Sequence, residues 1–290
     1  MKIAVVTGTS SGIGFSTSLD LARHGYRVFA GMRNLDKAPP LRDAAREAGV
    51  PLEVIELDVA SGPSIDRAFA AVAAQGPVAV LVNNAGIGGA TPLELTPDAE
   101  HRQMFETNYF GAIRCIQAVL PSMRERRQGV IVNVTSIAGL VPIPNQVAYS
   151  ASKWALECAG EALAHEVRRF GVRVVNVEPG VVMTKIFENS AEATRYEKKS
   201  PYQPVMRRNG KFYSAGFRDP ATSPEEVAEA IRAAIESDEY RLRWVVGKDA
   251  VGLYEGRRKI SDETWVELGA DLSDEEYNGR FLEYFGIRLM

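Results

Sequence analysis

Through residue 182 the chain alternates short apolar runs with longer stretches in which apolar positions recur every three or four residues. The short runs at residues 3–6, 27–31, 52–57, 78–82, 130–134 and 172–177 are rich in β-branched residues and bounded by glycine or polar positions. That pattern predicts β-strands. Their nearly continuous apolar character suits strands covered on both faces, as in a parallel sheet. Helical spacing occupies residues 14–24, 40–48, 64–75, 99–127 and 149–170. The alternation predicts an α/β fold, a doubly wound parallel sheet with helices on both faces.

Beyond Val182 the pattern changes. Residues 185–223 mix aromatic residues and prolines with many charges and read as an insertion without regular strands. Insertions of that length in a compact fold tend to serve function or to be disordered. A helix is then expected from Ser223-Pro224-Glu225-Glu226, where serine caps, proline opens the first turn and acids face the helix dipole. Residues 243–247 read as a last strand, and residues 248–290 as a C-terminal extension that is helical in pieces. The whole chain, 1–290, is expected to form a single domain.

Charge gives little direction. With 34 basic and 37 acidic residues, and no long run of one sign, the chain lacks the basic face a nucleic-acid binder needs. Cys115 and Cys158 both fall in helical segments and are expected to be buried free thiols. Strand pattern begins at the first residues, with no signal-peptide pattern and no apolar run long enough to span a bilayer. A cytoplasmic location is therefore expected.

The first strand runs into Thr7-Gly8-Thr9-Ser10-Ser11-Gly12-Ile13-Gly14 and then a helix. Such a turn aims backbone N–H groups and the positive end of the helix dipole at an anion. Glycines let the backbone turn tightly and approach a pyrophosphate, and Ser10 and Ser11 add hydroxyl donors. At the end of the second strand, where a carboxylate would bind an adenosine ribose 2′-hydroxyl, stand Met32 and Arg33. A guanidinium suits a 2′-phosphate, so NADP(H) is the expected cofactor and NAD(H) the possible second. Arg33 as a solvated loop charge is the alternative.

Tyr149 and Lys153 lie four apart at the start of a helix and so share a face. A free tyrosine, with a pKa of about 10, is a poor base at neutral pH, and a nearby ammonium favours its phenolate. Taken together, the glycine turn, Asn83-Asn84-Ala85-Gly86 after the fourth strand, Ser136 after the fifth and Tyr149-Ser-Ala-Ser-Lys153 resemble the short-chain dehydrogenase/reductase family. The match covers about the first 185 residues, and the Met-Arg pair and long insertion resemble its 17β-hydroxysteroid and retinol dehydrogenase branch.

The resemblance implies a Rossmann-type fold and an NADP(H)-dependent oxidoreductase acting on carbonyl and alcohol groups. It assigns proton transfer to Tyr149, cofactor and phenolate contacts to Lys153, the substrate oxygen to Ser136 and support of a proton relay to Asn108. Gly8, Ser10, Ser11, Gly12, Ile13 and Gly14 would hold the pyrophosphate. Asn84, Ala85, Gly86, Pro179, Gly180, Val182 and Thr184 would line the nicotinamide half, the Thr184 hydroxyl binding its carboxamide. Asp58 and Val59 resemble the adenine-contacting pair, although Asp58 equally suits a turn or helix cap. Asn108 and Asn83 have structural readings as well, since a buried amide needs partners in any case.

The substrate is expected to touch residues 87–91, 137–146 and 185–223, and the apolar loop at 137–144 suits a small hydrophobic carbonyl compound or alcohol. The same loop could simply pack under a lid. One alternative is a 3-oxoacyl-thioester reductase, with Lys185, Arg195, Lys198, Lys199, Arg207 and Arg208 as a basic mouth. Another is a non-catalytic NADP(H)-binding sensor or scaffold. The two long helices resemble the family's assembly surface, which implies a homodimer or homotetramer.

Overall fold

Val-rich strands buried on both faces form the centre of one seven-stranded sheet, flanked by two partly exposed edge strands. In chain order the seven are β1 (Lys2–Thr7), β2 (Tyr26–Met32), β3 (Leu52–Glu56), β4 (Val78–Asn83), β5 (Gly129–Val134), β6 (Val172–Pro179) and β7 (Arg243–Val246), with β3 and β7 at the edges. In this computed structural model, which describes residues 1–184, 199–218 and 221–289, every pairing is parallel and the order is β3-β2-β1-β4-β5-β6-β7. The order reverses between β1 and β4. In such sheets the crevice at the carboxyl ends of the strands at that point is where ligands bind.

Two apolar layers cover the sheet. On one face α1 (Gly12–Arg23), α2 (Pro39–Glu47) and α8 (Pro224–Glu236) pack through Leu19, Leu21, Leu41, Ala45, Val227 and Ile231. On the other, α3 (Gly62–Ala73), α5 (Gly111–Arg126) and α6 (Val147–Val167) pack through Phe69, Val72, Cys115, Val119, Met123 and Ala164. The expected doubly wound architecture is thus the observed one. Ser223 caps α8 as expected: its hydroxyl accepts from Glu226 N at 3.1 Å, and Glu226 Oε2 accepts from Ser223 N at 2.6 Å.

Two expectations need correction, and the insertion gains a detail. The helix expected over 99–127 is two, α4 (Asp98–Phe105) and α5, joined by a π-helical turn at Glu106–Phe110. The turn opens because the Asn108 side chain bonds outward to Ile87 and Ser152 instead of lying along a helix surface. Cys115 is buried but Cys158 is exposed; both are free. Part of the insertion is a helix, α7 (Gln203–Gly216), while Lys185, Arg195 and Lys198 lie outside the described residues.

The C-terminal extension forms α9 (Lys248–Arg257), α10 (Asp262–Glu267) and α11 (Asp274–Phe285). With α7 and the loop after β5 they enclose a third core containing Ile137, Val141, Ile143, Phe212, Leu253, Phe281 and Phe285. Aromatic packing dominates it, with Phe281 stacked on Tyr277 at 5.7 Å and tilted on Phe285 at 4.7 Å. Among the described residues no helix is long and apolar enough to cross a membrane.

Candidate active site

The turn between β1 and α1 is built around three glycines that tolerate no side chain. Gly8 has φ +71° and a Cβ there would sit 2.6 Å from the Ala85 Cα; Gly12, at φ +58°, would meet Thr184 Cγ2 at 2.9 Å. A Cβ on Gly14 would strike both the Gly8 carbonyl oxygen and Asn84 Nδ2 at 2.4 Å. The glycines therefore let the turn close against the Asn84-Ala85 loop and against Thr184, which brings three sequence-distant predicted segments together. Ser11 caps α1 in extended conformation without a side-chain bond to the helix, and no acid occupies the first turn. The helix end thus keeps its free N–H groups, a hydroxyl and an unopposed dipole for an anion.

Thr7, absent from the expected set, sets the opposite wall. Its hydroxyl accepts from Asn84 N at 3.0 Å and Ala85 N at 2.9 Å, and Asn84 Nδ2 donates to the Thr7 and Gly8 carbonyls. Thr9 ties the turn to β2 through N and Oγ1, both donated to the Gly31 carbonyl. Arg33 follows two residues later, exposed and without an ion-pair partner among the described residues. Asp58 Oδ1 accepts from Ala60 N at 3.0 Å, a turn contact that leaves its other oxygen for a ligand. The Val59 side chain is buried in the core, where Gly111 packs on it.

Helix α6 brings Tyr149 and Lys153 one turn apart beside the end of β5. The Ser136 hydroxyl lies beside the Tyr149 phenol and accepts from Ala138 N at 3.1 Å. Burial raises the Tyr149 pKa, and the neighbouring Ser136 hydroxyl opposes part of that rise. Lys153 is 4 % exposed, with Nζ donating to the Val134 carbonyl at 2.9 Å and lying 6.0 Å from the Tyr149 ring centre. Burial pulls its pKa down to about 8, and the charge of Glu157 opposes that fall. Below that pH the ammonium is charged and favours a phenolate on its neighbour.

Asn108 is buried and its amide is fully used: Oδ1 accepts from Ile87 N at 2.8 Å, and Nδ2 donates to the Ile87 carbonyl and Ser152 Oγ. It clamps the loop after β4 to α6, close to Lys153, since a Cβ on Gly86 would lie 3.3 Å from Asn108 Oδ1 and 3.5 Å from Lys153 Nζ. Asn83 does not reach this crevice but donates across the sheet to Asn133 Oδ1 at 3.0 Å. Gly180 N donates to the Val246 carbonyl and Val181 N to Asp249 Oδ2, which holds the strand end after Pro179 in place. Val182 bridges to Thr222.

The family model described as short chain dehydrogenase matches residues 2–195. This chain belongs to that family. It is an oxidoreductase of the kind that acts on alcohol and carbonyl groups, and its relatives lie in the expected branch. Human (Homo sapiens) retinol dehydrogenase 8 is 38% identical, the match covering 83% of this chain and 80% of that one. Estradiol 17-beta-dehydrogenase 1 of Rattus norvegicus is 36% identical over 83% and 72%. Among solved structures, a short-chain dehydrogenase from Streptomyces avermitilis superposes with a TM-score of 0.80, at 36% identity over 92% and 94% of the two chains. A single-residue variant of actinorhodin polyketide ketoreductase with NADPH gives 0.75, at 31% identity over 85% and 95%.

Within this family member, two groups close the site that sequence reasoning missed. Tyr213 of α7 is partly buried near Tyr149 and Gln146, and its pKa is raised by burial and then by Tyr149. Asp249 of α9 sits under Gly180, where a Cβ would strike its carboxylate. Neither belongs to a motif; both arrive from the C-terminal third of the chain. Beyond them, Ile143, Pro144, Asn209, Phe212, Leu253 and Phe281 help line an apolar cavity of about 170 Å³.

Proposed function

We propose that the chain is an NADP(H)-dependent oxidoreductase that interconverts a carbonyl and an alcohol on a small hydrophobic molecule. The observation that carries this reading is the convergence of Ser136, Tyr149 and Lys153 beside the glycine turn. When bound, the nicotinamide supplies or takes up the hydride. In reduction Tyr149 gives its phenolic proton to the substrate oxygen; in oxidation it takes that proton back. Ser136 holds the same oxygen against developing charge. Lys153, charged below about pH 8, stabilises the phenolate that remains. With its side chain spent on Ile87 and Ser152, Asn108 supports the relay by fixing the backbone beside Lys153.

Cofactor fit rests on the three glycines that a Cβ would block, on the uncommitted Ser11 hydroxyl and on Thr184 against Gly12. Gly8, Ser10, Ser11, Gly12, Ile13 and Gly14 would take the pyrophosphate, and Asn84, Ala85, Gly86, Pro179, Gly180, Val182 and Thr184 the nicotinamide half. Exposed Arg33, with no carboxylate beside it at the strand end, favours NADP(H) over NAD(H). A small hydrophobic substrate is supported by the apolar loop at 137–144, of which Ile143 and Pro144 also line the apolar cavity. Residues 1–290 then act as one catalytic domain, with 185–223 as lid and 248–290 as the floor of the pocket.

Of the thioester alternative's basic mouth, Arg207 and Arg208 are already engaged, while Lys185, Arg195 and Lys198 lie outside the described residues. Arg207 and Lys211 pair with Asp274, and Arg208 is buried over the Tyr277 ring while donating to the Leu272 carbonyl. A non-catalytic sensor would not need Tyr149 and Lys153 set together with Ser136. Exposed Phe110 on the turn before α5, and Val147 and Trp154 on α6, support a dimer or tetramer through this face. The deciding experiment is turnover of hydrophobic ketones with NADPH by the wild type and by Tyr149→Phe. Wild-type turnover that falls at least ~100-fold in the variant, on the scale of lost acid–base catalysis, supports the reading. Equal turnover by both proteins overturns it.

A further inference from the structure

Tyr149, Lys153 and a third residue, Glu157, follow at intervals of four along the same face of α6. Glu157 is 2 % exposed and lies at the centre of a polar cluster under the sheet end. Thr135 Oγ1 donates to its Oε1; Asn176 Nδ2, at 2.8 Å, and Arg243 Nε, at 3.1 Å, donate to Oε2. Thr135 immediately precedes Ser136. One carboxylate therefore ties the Ser136-bearing strand end, β6 and β7 to the helix that carries Tyr149 and Lys153. No role in proton transfer or cofactor contact was assigned to it above.

Beside it lies a second carboxyl. Glu178 on β6 is fully buried, and neither oxygen makes a well-formed hydrogen bond among the described residues. Its neighbours are Glu157 and the Trp244 main chain. The charged groups packed here are Lys153, Glu157 and Glu161 on α6, Glu178 on β6 and Arg243 on β7; His165 faces Glu161 at the rim. Lys153 and Arg243 balance Glu157 and Glu161 only when Glu178 is neutral. A second buried anion would face the first with no cation left to offset it, which a low-dielectric site does not sustain.

We propose that Glu157 is a positioning residue of this active site, its carboxylate keeping Lys153 charged and pinning the Thr135-Ser136 turn, while Glu178 beside it carries a proton. The catalytic consequence rests on the function proposed above, but the electrostatic claim does not. Removing the Glu157 charge leaves burial as the unopposed influence on Lys153, so the ammonium loses its proton at lower pH. Glu178 is a neutral neighbour of Glu157, and Gln keeps that side chain neutral at nearly the same size.

The test is a pH titration of Lys153 by NMR on full-length protein labelled with 13C at lysine Cε, in the wild type, Glu157→Gln and Glu178→Gln. The titration should move down by about one pH unit in Glu157→Gln, the scale of a nearby opposite charge, and stay in place in Glu178→Gln. A Lys153 titration unmoved in Glu157→Gln overturns the proposal, as does an equal shift in both variants. Should Glu157→Gln fail to fold, Glu157→Asp withdraws the charge by one methylene and must lower the titration by a smaller step; no change there also overturns it. The alkaline limb of kcat/KM for ketone reduction should move with the NMR value. A wild type that titrates as described yet turns over no ketone would remove the proposed function and leave the electrostatic inference standing.

Discussion

Replacing Glu178 by Gln should stabilise the folded protein at neutral pH, because the native side chain must retain a proton that water would remove. Its pKa is pushed up to about 10, by burial first and by the Glu157 charge second. An unfolded glutamate titrates near about 4.3. Between those two values the folded chain binds one proton more than the unfolded chain. Stability therefore falls as pH rises through that window, by about 1.4 kcal/mol per pH unit. At pH 7 the accumulated cost is about 3.5 kcal/mol, set by the distance from the unfolded pKa and not by how far the folded value lies above 7. Glutamine is neutral without binding a proton, so the variant escapes this cost. Urea unfolding of both proteins from about pH 5 to about pH 8 reads the difference. The gain should be about 1 kcal/mol at pH 5 and grow steadily toward neutrality, while imperfect packing of the amide subtracts a constant. A difference that does not change with pH would refute the protonated carboxyl.

The remaining predictions concern the cofactor cradle and the third core. Arg33→Ala should weaken NADPH binding by about 10- to 100-fold, the worth of a charged hydrogen bond, and leave NADH untouched; equal loss for both cofactors in a fluorescence titration would remove Arg33 from the phosphate site. Gly14→Ala places a Cβ 2.4 Å from the Gly8 carbonyl oxygen and Asn84 Nδ2. It should abolish the rise in Tm that NADPH gives the wild type, and a retained rise would mean the turn yields without loss. Phe281→Ala, at a residue 4 % exposed, should cost about 3–5 kcal/mol in denaturant unfolding. A cost below about 1 kcal/mol would show that the C-terminal helices are not part of the cooperative core.

Much of this was legible in the sequence because the signals are local. A strand buried on both faces must be largely apolar, so β1, β2, β4, β5 and β6 announce themselves by composition. Glycines must stand where a backbone turns against another, and Ser223 with Glu226 spells a capping box within four residues. The same spacing at Ser273 and Glu276 caps α11, where the tail was read only as helical in pieces. The π turn at Glu106–Phe110 escaped because one extra residue per turn barely disturbs a helical periodicity, and the contacts that open it come from Ile87 and Ser152.

What the sequence determined by itself was the parallel sheet, the turn at its first strand and the spacing of Tyr149 and Lys153 on one helix face. What only the tertiary structure decided was which distant groups meet there. Thr7 grips the Asn84-Ala85 loop, Tyr213 comes within reach of Tyr149, and Glu157 shares a buried pocket with Glu178 and Arg243. No periodicity encodes such meetings. They depend on strand order, which sets β6 and β7 beside β5, and on burial, which strips away water and leaves each carboxyl and ammonium to be settled by its neighbours.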